Sequence, residues 1–255
     1  MASNTQEALV AGQFGPQAAA YVTSAVHASG ADLDQIEAFV RDHAPGRVLD
    51  LGCGGGHVSY RAAAHAGEVV AFDLSAEMLA AVRRTAEARG LVNIVTQQGA
   101  AEAIPFPAAS FDMVLSRYSA HHWHDFVQGL REARRVLKPG GHALFADAVT
   151  PGAPLLDTFL QSIELLRDPS HVRNYTRAEW ENGLREAGFR AGTARLHRVP
   201  LEFTSWVQRM RTPEIHVAAI RSLEQRMSAE VAAHFDIRED GSFTLDAMTI
   251  EAQAV

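Results

Sequence analysis

The run Val48-Leu49-Asp50-Leu51-Gly52-Cys53-Gly54-Gly55-Gly56 constrains this 255-residue chain more than any other. An aliphatic strand enters a turn with four glycines in five residues, and a helical pattern follows over residues 56–66. A strand feeding a glycine-rich turn and then a helix is how α/β proteins aim backbone N–H groups at a ligand. Gly52 and Gly54 lack the Cβ that would hold that ligand away. The next strand ends in Asp73, about 20 residues past the loop, where a carboxylate can accept both hydroxyls of an adenosine ribose.

From residue 47 to residue 149, short β-branched runs alternate with helical patterns, which signals a parallel sheet. Strands are expected at residues 47–51, 68–73, 93–97, 111–116 and 142–146, and helices at 56–66, 76–89 and 124–137. Lys138-Pro139-Gly140-Gly141 should end the last helix before the fifth strand. Each crossover is long enough for a right-handed βαβ unit. Two helices, at residues 16–28 and 32–42, come first. Past Pro151 the order changes: a helix at 155–167, another from Thr176 with the capping box Thr176…Glu179, a strand at 189–199, a largely helical stretch at 201–235, and a final strand at 242–252. The expected fold class is α/β. It is a Rossmann-like, doubly wound, mostly parallel sheet with N-terminal helices and a helical cap inserted before the last strand.

The loop is tested against a dinucleotide fingerprint by its third glycine. With Gly52 and Gly54 in place, G-x-G-x-x-G requires glycine at 57, and that residue is His57. Asp50, two residues before the loop, suits a ligand with an amino group better than one with phosphates. The string around Asp50 to Gly56, with Asp73 ending the second strand, resembles the cofactor motif of class I S-adenosylmethionine-dependent methyltransferases. So do Asp73-Leu74-Ser75-Ala76-Glu77-Met78-Leu79, Gly99-Ala100-Ala101-Glu102-Ala103-Ile104-Pro105-Phe106, and Phe111-Asp112-Met113-Val114 followed by Arg134 to Gly141. Together they cover about residues 47–147, and the grouping they most resemble is the small-molecule enzymes similar to the ubiquinone/menaquinone C-methyltransferases.

The resemblance implies a single methyltransferase domain over residues 1–255, with a core at about 30–150 and cap elements at about 151–188 and 201–235. It implies S-adenosyl-L-methionine as cofactor and a small-molecule methyl acceptor. Gly52, Cys53 and Gly54 would line the methionine part, Asp73 and Leu74 the ribose, and Met78 one adenine face. The loop Ala100-Ala101-Glu102 would close the other face; Ala100 stands where many relatives have an acidic residue, leaving that contact to backbone groups near Ala101. Arg117 would sit near the methionine end, and Tyr21 would fold over the cofactor. Apart from the motif, Met78 reads as a core methionine, Arg117 as an ion-pair partner and Tyr21 as a pin for the first helix.

Methyl transfer needs the reacting atoms in line and close, and a base only where the acceptor has a proton to lose. The cluster Tyr118 to Asp125 lies just past the fourth strand, at the ligand-binding edge of such sheets. His121 and His122 are the candidate catalytic bases, since imidazole titrates near neutral pH. His121, His124 and Asp125 have helical spacing, but the helix start falls inside the run, so no metal site is expected. Asp147, His171 to Tyr175, Trp206, Met210 and Met227 are further pocket candidates. A nicotinamide-dependent oxidoreductase and a non-catalytic S-adenosylmethionine-binding module remain the alternatives. The net charge of -7, with a single lysine, Lys138, and no basic run, argues against a nucleic-acid partner. No window approaches the roughly 18 apolar residues of a membrane span. The polar N-terminus lacks a signal-peptide layout and Cys53 is the only cysteine, so a cytoplasmic location is expected.

Overall fold

The computed structural model describes residues 5–17 and 29–255. Tyr21, and all but the first two residues of the helix expected at 16–28, lie outside the described residues. The chain enters as α1 (Gln6–Phe14), whose first turn is closed by the Thr5 hydroxyl accepting the Ala8 N–H, and a 3-10 turn, Gly15–Gln17. Then come α2 (Ala31–His43), β1 (Arg47–Leu51), α3 (His57–Ala62), β2 (Glu68–Asp73), α4 (Ala76–Ala88), β3 (Ile94–Gln98) and β4 (Phe111–Arg117). A 3-10 turn at Ala120–His122 leads to α5 (Phe126–Val136) and β5 (Leu137–Ala148). The remainder is α6 (Pro154–Arg167), α7 (Arg177–Glu186), β6 (Phe189–Leu201), α8 (Phe203–Arg209), α9 (Glu214–Arg226), α10 (Ala229–Phe235) and β7 (Phe243–Ala254).

The strands form one sheet in the order β3-β2-β1-β4-β5-β7-β6. Its first five strands run parallel; β7 pairs antiparallel with both β5 and β6. The last strand therefore inserts between its predecessors rather than adding at the edge. The expected Rossmann-like α/β class is what the sheet shows. One local expectation fails: Lys138 to Gly141 does not separate α5 from β5. Leu137 already pairs with Phe111, and the register shifts before Met113 pairs with His142. Gly141 is pressed against backbone there, since a Cβ would meet the Lys138 carbonyl at 2.9 Å. The Pro-Gly stretch thus makes an irregularity inside the strand.

Period-2 alternation sorts side chains to the two faces of the sheet. Val48, Met113 and Leu115 pack with Leu33, Ile36 and Val40 of α2 and Val58 of α3 on one face. Leu49, Leu51 and Val114 pack with Phe126 and Leu130 of α5 on the other. Both faces are buried, as a parallel sheet requires. Helix α7, which carries the capping box Thr176–Glu179, buries Trp180 and Leu184 in that second layer. Helices α6 and α8–α10 build a separate apolar cluster with the start of β7, centred on Phe159, Trp206, Phe235 and Phe243.

Candidate active site

Strand order reverses between β1 and β4, which sets their carboxyl ends side by side and opens a crevice there. The loop after β1 is tied to β2: the N–H groups of Gly52 and Cys53 both donate to the Phe72 carbonyl, at 2.8 and 2.9 Å. Gly52 has φ +74°, and a Cβ on it would lie 1.9 Å from Ser119 Oγ. Gly54 has φ +48°, and a Cβ there would meet nothing within 4 Å, so its face looks into open space.

That space is a cavity of about 140 Å³ lined by Asp50 to Gly55, Asp73, Leu74, Ser75, Met78, Gly99, Ala101 and Glu102 on one side and Arg117, Tyr118, Ser119 and His122 to His124 on the other. Of the residues expected to meet a cofactor, Gly52, Cys53, Gly54, Asp73, Leu74, Met78, Ala101, Glu102 and Arg117 all line it. Ala100 does not. Its carbonyl accepts the Ala103 N–H in the turn, and Gly99 and Ala101 on either side face the cavity.

Asp73 Oδ2 accepts the Gly54 N–H at 2.8 Å and Oδ1 accepts the Ser75 N–H at 2.9 Å. Each oxygen keeps a lone pair for a further donor. Burial raises the Asp73 carboxyl above its ordinary value against those backbone donors. Asp50 is 1% exposed; Oδ2 accepts the Ser59 hydroxyl at 2.6 Å, and among the described residues Oδ1 has no partner. Burial pushes its carboxyl up to about 7. Cys53 is a small lining residue, its thiol pushed up by burial and by Asp73 and Asp50.

Arg117 closes the far wall as part of a buried ion pair. Its Nε donates to Asp32 Oδ2 at 2.5 Å and Nη2 to Asp32 Oδ1 at 3.2 Å. Both side chains are no more than 10% exposed. Two features of this wall escaped the sequence reading: Asp32, and α1, whose Gln6, Glu7, Val10 and Phe14 roof the cavity. Val10 and Phe14 are one helical turn apart, the signal that was available in a segment read only as polar.

A second cavity of about 410 Å³ lies between the sheet and the cap, with Glu164, Arg167, Asp168, Asn174, Arg198, Trp206, Met210 and Leu245 in its lining. Phe14, Arg117, Tyr118 and His122 line both cavities. His121 faces the second alone. Of the apolar candidates in the cap, Trp206 and Met210 reach it, whereas Met227 packs in the cap's own core.

The two histidines differ in environment. His121 Nδ1 donates to Asp147 Oδ1 at 2.6 Å, and Asp147, 3% exposed, also accepts the N–H groups of Ala120 and Ala148. Asp147 is thus a support behind His121 and not a lining residue. Burial lowers the His121 pKa, but the Asp147 charge, with Glu164 and Asp168, wins and raises it above the ordinary value. Nδ1 of His122 donates to the Ser170 carbonyl at 3.1 Å. Burial and the nearby His121 depress His122 to about 4, and burial takes His171, 5.8 Å from His121 between ring centres, to about 2. Neighbouring His124 and Asp125 turn elsewhere, to Glu102 and to the start of α5. Among the described residues no cluster of three or more His, Cys, Asp or Glu side chains is placed to hold a metal ion.

Residues 49–145 match the family model of a methyltransferase domain. The chain is 36% identical over 200 residues to the uncharacterized methyltransferase YcgJ of Bacillus subtilis, spanning 78% of this chain and 79% of that one. The chain belongs to the methyltransferase family. The crystal structure of the same Bacillus protein superposes with a TM-score of 0.84 and covers 88% of this methyltransferase and 97% of that chain. The uncharacterized protein YafE of Escherichia coli is 50% identical over 197 residues, or 77% of this chain and 95% of that protein. A demethylmenaquinone methyltransferase of Chlorobaculum parvum is 35% identical over 111 residues, 43% of this methyltransferase and 44% of that enzyme.

Proposed function

We propose that this methyltransferase uses S-adenosyl-L-methionine to methylate a small molecule held in the cavity under the cap. The observation that carries the reading is the common wall: Phe14, Arg117, Tyr118 and His122 line both cavities, so a cofactor in the first and an acceptor in the second meet across them. Holding two reactants side by side, with the reacting atoms in line and close, is how such a site gains most of its rate.

The lining fits the cofactor on two independent grounds. The open face at Gly54 leaves room where a side chain would intrude, and the unpartnered Asp50 Oδ1 suits an ammonium group. Asp73 would accept the ribose hydroxyls, Met78 and Ala101 would flank the adenine, and Gly52 to Gly54 would follow the methionine chain. S-adenosylmethionine supplies a methyl group made electrophilic by the sulfonium. His121 acts on the acceptor's side. With its Nδ1–H donated in a hydrogen bond to Asp147, the neutral ring has its lone pair at Nε2, where it can take a proton from an acceptor O–H, N–H or acidic C–H. Asp147 holds the ring in that tautomer and stabilises the imidazolium that results. His122, depressed to about 4, stays neutral and serves as a wall.

The cavity, about 410 Å³, is in the range of small-molecule pockets, which supports an acceptor of that class over a macromolecule. Among the described residues no helix is long and apolar enough to cross a membrane. The test is calorimetric titration with S-adenosylmethionine, S-adenosylhomocysteine and NAD in parallel. Saturable binding of the first two and not the third supports the reading; binding of NAD alone overturns it.

A further inference from the structure

Among the described residues that line the second cavity, Asn174 carries an amide whose hydrogen-bonding capacity is left unused. Asn174 is 1% exposed and lines the cavity, and among the described residues neither its Oδ1 nor its Nδ2 has a partner. Its backbone, by contrast, is held on both sides by one residue. Gln161 Nε2 donates to the Asn174 carbonyl at 2.8 Å, and Gln161 Oε1 accepts the Asn174 N–H at 3.1 Å. The preceding residues are anchored as well, because the N–H groups of Val172 and Arg173 donate to the His121 carbonyl at 2.8 and 3.2 Å. The backbone of Asn174 is therefore fixed in a segment tied to His121, and its side-chain amide has an acceptor and two donors unmatched. Leaving such a group buried without partners costs more than a hydrogen bond normally contributes, so a ligand that supplies them is strongly favoured over one that does not.

The charges around the cavity narrow the class. The guanidinium groups of Arg117, Arg167 and Arg198 are each held by a carboxylate, from Asp32, Glu164 and Asp246. Arg209 and buried Asp168 add one more cation and one more carboxylate to the lining, so its charges balance. This balance does not call for an anion, and a carboxylate would set its oxygens against the Asn174 Oδ1. Trp206, Met210 and Leu245 offer apolar walls for a flat body. We propose, resting on the acceptor-cavity reading above, that Asn174 is the specificity-determining residue of this cavity. It selects a neutral, planar, largely apolar molecule that presents a carbonyl and a hydrogen-bond donor on adjacent atoms, as a lactam or cyclic imide does. The Asn174 Nδ2 donates to the carbonyl and Oδ1 accepts from the neighbouring N–H.

Three probes of nearly equal size separate the elements of this edge: 2-quinolone has both donor and acceptor, quinoline the acceptor only, and naphthalene neither. Their affinities for the full chain are measured by ligand-observed NMR titration, with and without S-adenosylhomocysteine. The expected result is that 2-quinolone binds about tenfold or more tighter than quinoline, and that Asn174→Leu abolishes this preference while S-adenosylhomocysteine binds as before. Equal affinity of 2-quinolone and quinoline for the unaltered protein overturns the proposal, as does a preference that survives in Asn174→Leu. If that variant does not fold, the ranking of the three probes on the unaltered protein still decides. Failure to bind S-adenosylhomocysteine, with the probe preference intact, overturns the cofactor reading and leaves the selection by Asn174 standing.

Discussion

Asp147 holds His121 from behind, with Oδ1 2.6 Å from the ring Nδ1 and Oδ2 accepting the N–H of Ala120, the residue just before it. One buried carboxylate on β5 thus fixes the His121 ring and the backbone of the residue before it, just past the end of β4. The histidine that lines the second cavity is oriented by the protein alone.

This pair predicts a pH profile. The imidazolium of His121 is favoured by Asp147, Glu164 and Asp168 and opposed by burial, and the balance is a raised pKa. The base must be neutral, so turnover rises as pH climbs through a value above 6.5. Asp147→Asn should shift that limb toward acid and lower kcat about 100-fold, in line with the usual contribution of an oriented general base. Histidine ring NMR titration reads the same shift without an acceptor. A His121 pKa that does not move in Asp147→Asn would remove Asp147 from the mechanism.

Acid should destabilise the fold through the other two rings. His122 and His171 are neutral in the folded protein, with values near 4 and 2 against 6.5 for the unfolded chain. The unfolded state binds protons first, so stability falls as pH drops below 6.5 toward 4. The contribution of His121 runs the other way: it is complete below 6.5 and is lost as pH rises through its higher folded value. Melting temperature between pH 7 and 4.5 should fall less in the double variant His122→Gln, His171→Gln. An equal fall in both proteins would place the acid sensitivity elsewhere.

Asp73→Ala removes the carboxylate proposed to accept the ribose hydroxyls and frees the Gly54 and Ser75 N–H groups it now holds. S-adenosylhomocysteine affinity should drop by about 1.5–3 kcal/mol, or roughly 10- to 150-fold in Kd. Calorimetry on protein shown to be folded by circular dichroism checks it. Unchanged affinity would mean that the ribose lies elsewhere.

The loop glycines should respond differently to the same substitution. Gly52→Ala adds a Cβ 1.9 Å from Ser119 Oγ and 2.5 Å from Ser119 Cβ, at φ +74°. A loss of about 2–5 kcal/mol is expected from strain and overpacking, relieved in part by Ser119→Ala, which removes the Oγ contact but keeps the Cβ contact, and further by Ser119→Gly. Gly54→Ala meets no protein atom, so it should cost only the left-handed backbone, about 1–2 kcal/mol, while blocking the cofactor. Urea melts and cofactor titrations of the set separate the two effects.

Arg117→Met strands Asp32 in a site where both side chains are no more than 10% exposed. Breaking one side of such a pair should destabilise by about 3–5 kcal/mol, and adding Asp32→Asn should restore much of it. Chemical denaturation of the two single variants and the double variant measures the coupling; additive losses would show that the pair does not act as a unit.

By itself the sequence determined the strand–glycine loop–helix unit, Asp73 at the end of β2, and the alternation of elements up to β5. These follow from short-range rules: which residues tolerate a left-handed turn, and which periods bury one face or two. Tertiary structure decided the rest, because the partners are far apart in the chain. Arg117 meets Asp32 across 85 residues, and His121 meets Asp147 across 26. No local pattern says that β7 enters between β5 and β6, since antiparallel pairing depends on which edge is still open once the other strands are in place. The same holds for the cavity under the cap: Asn174 was one residue of the candidate segment 171–175 until the fold buried its amide and left it without a partner among the described residues.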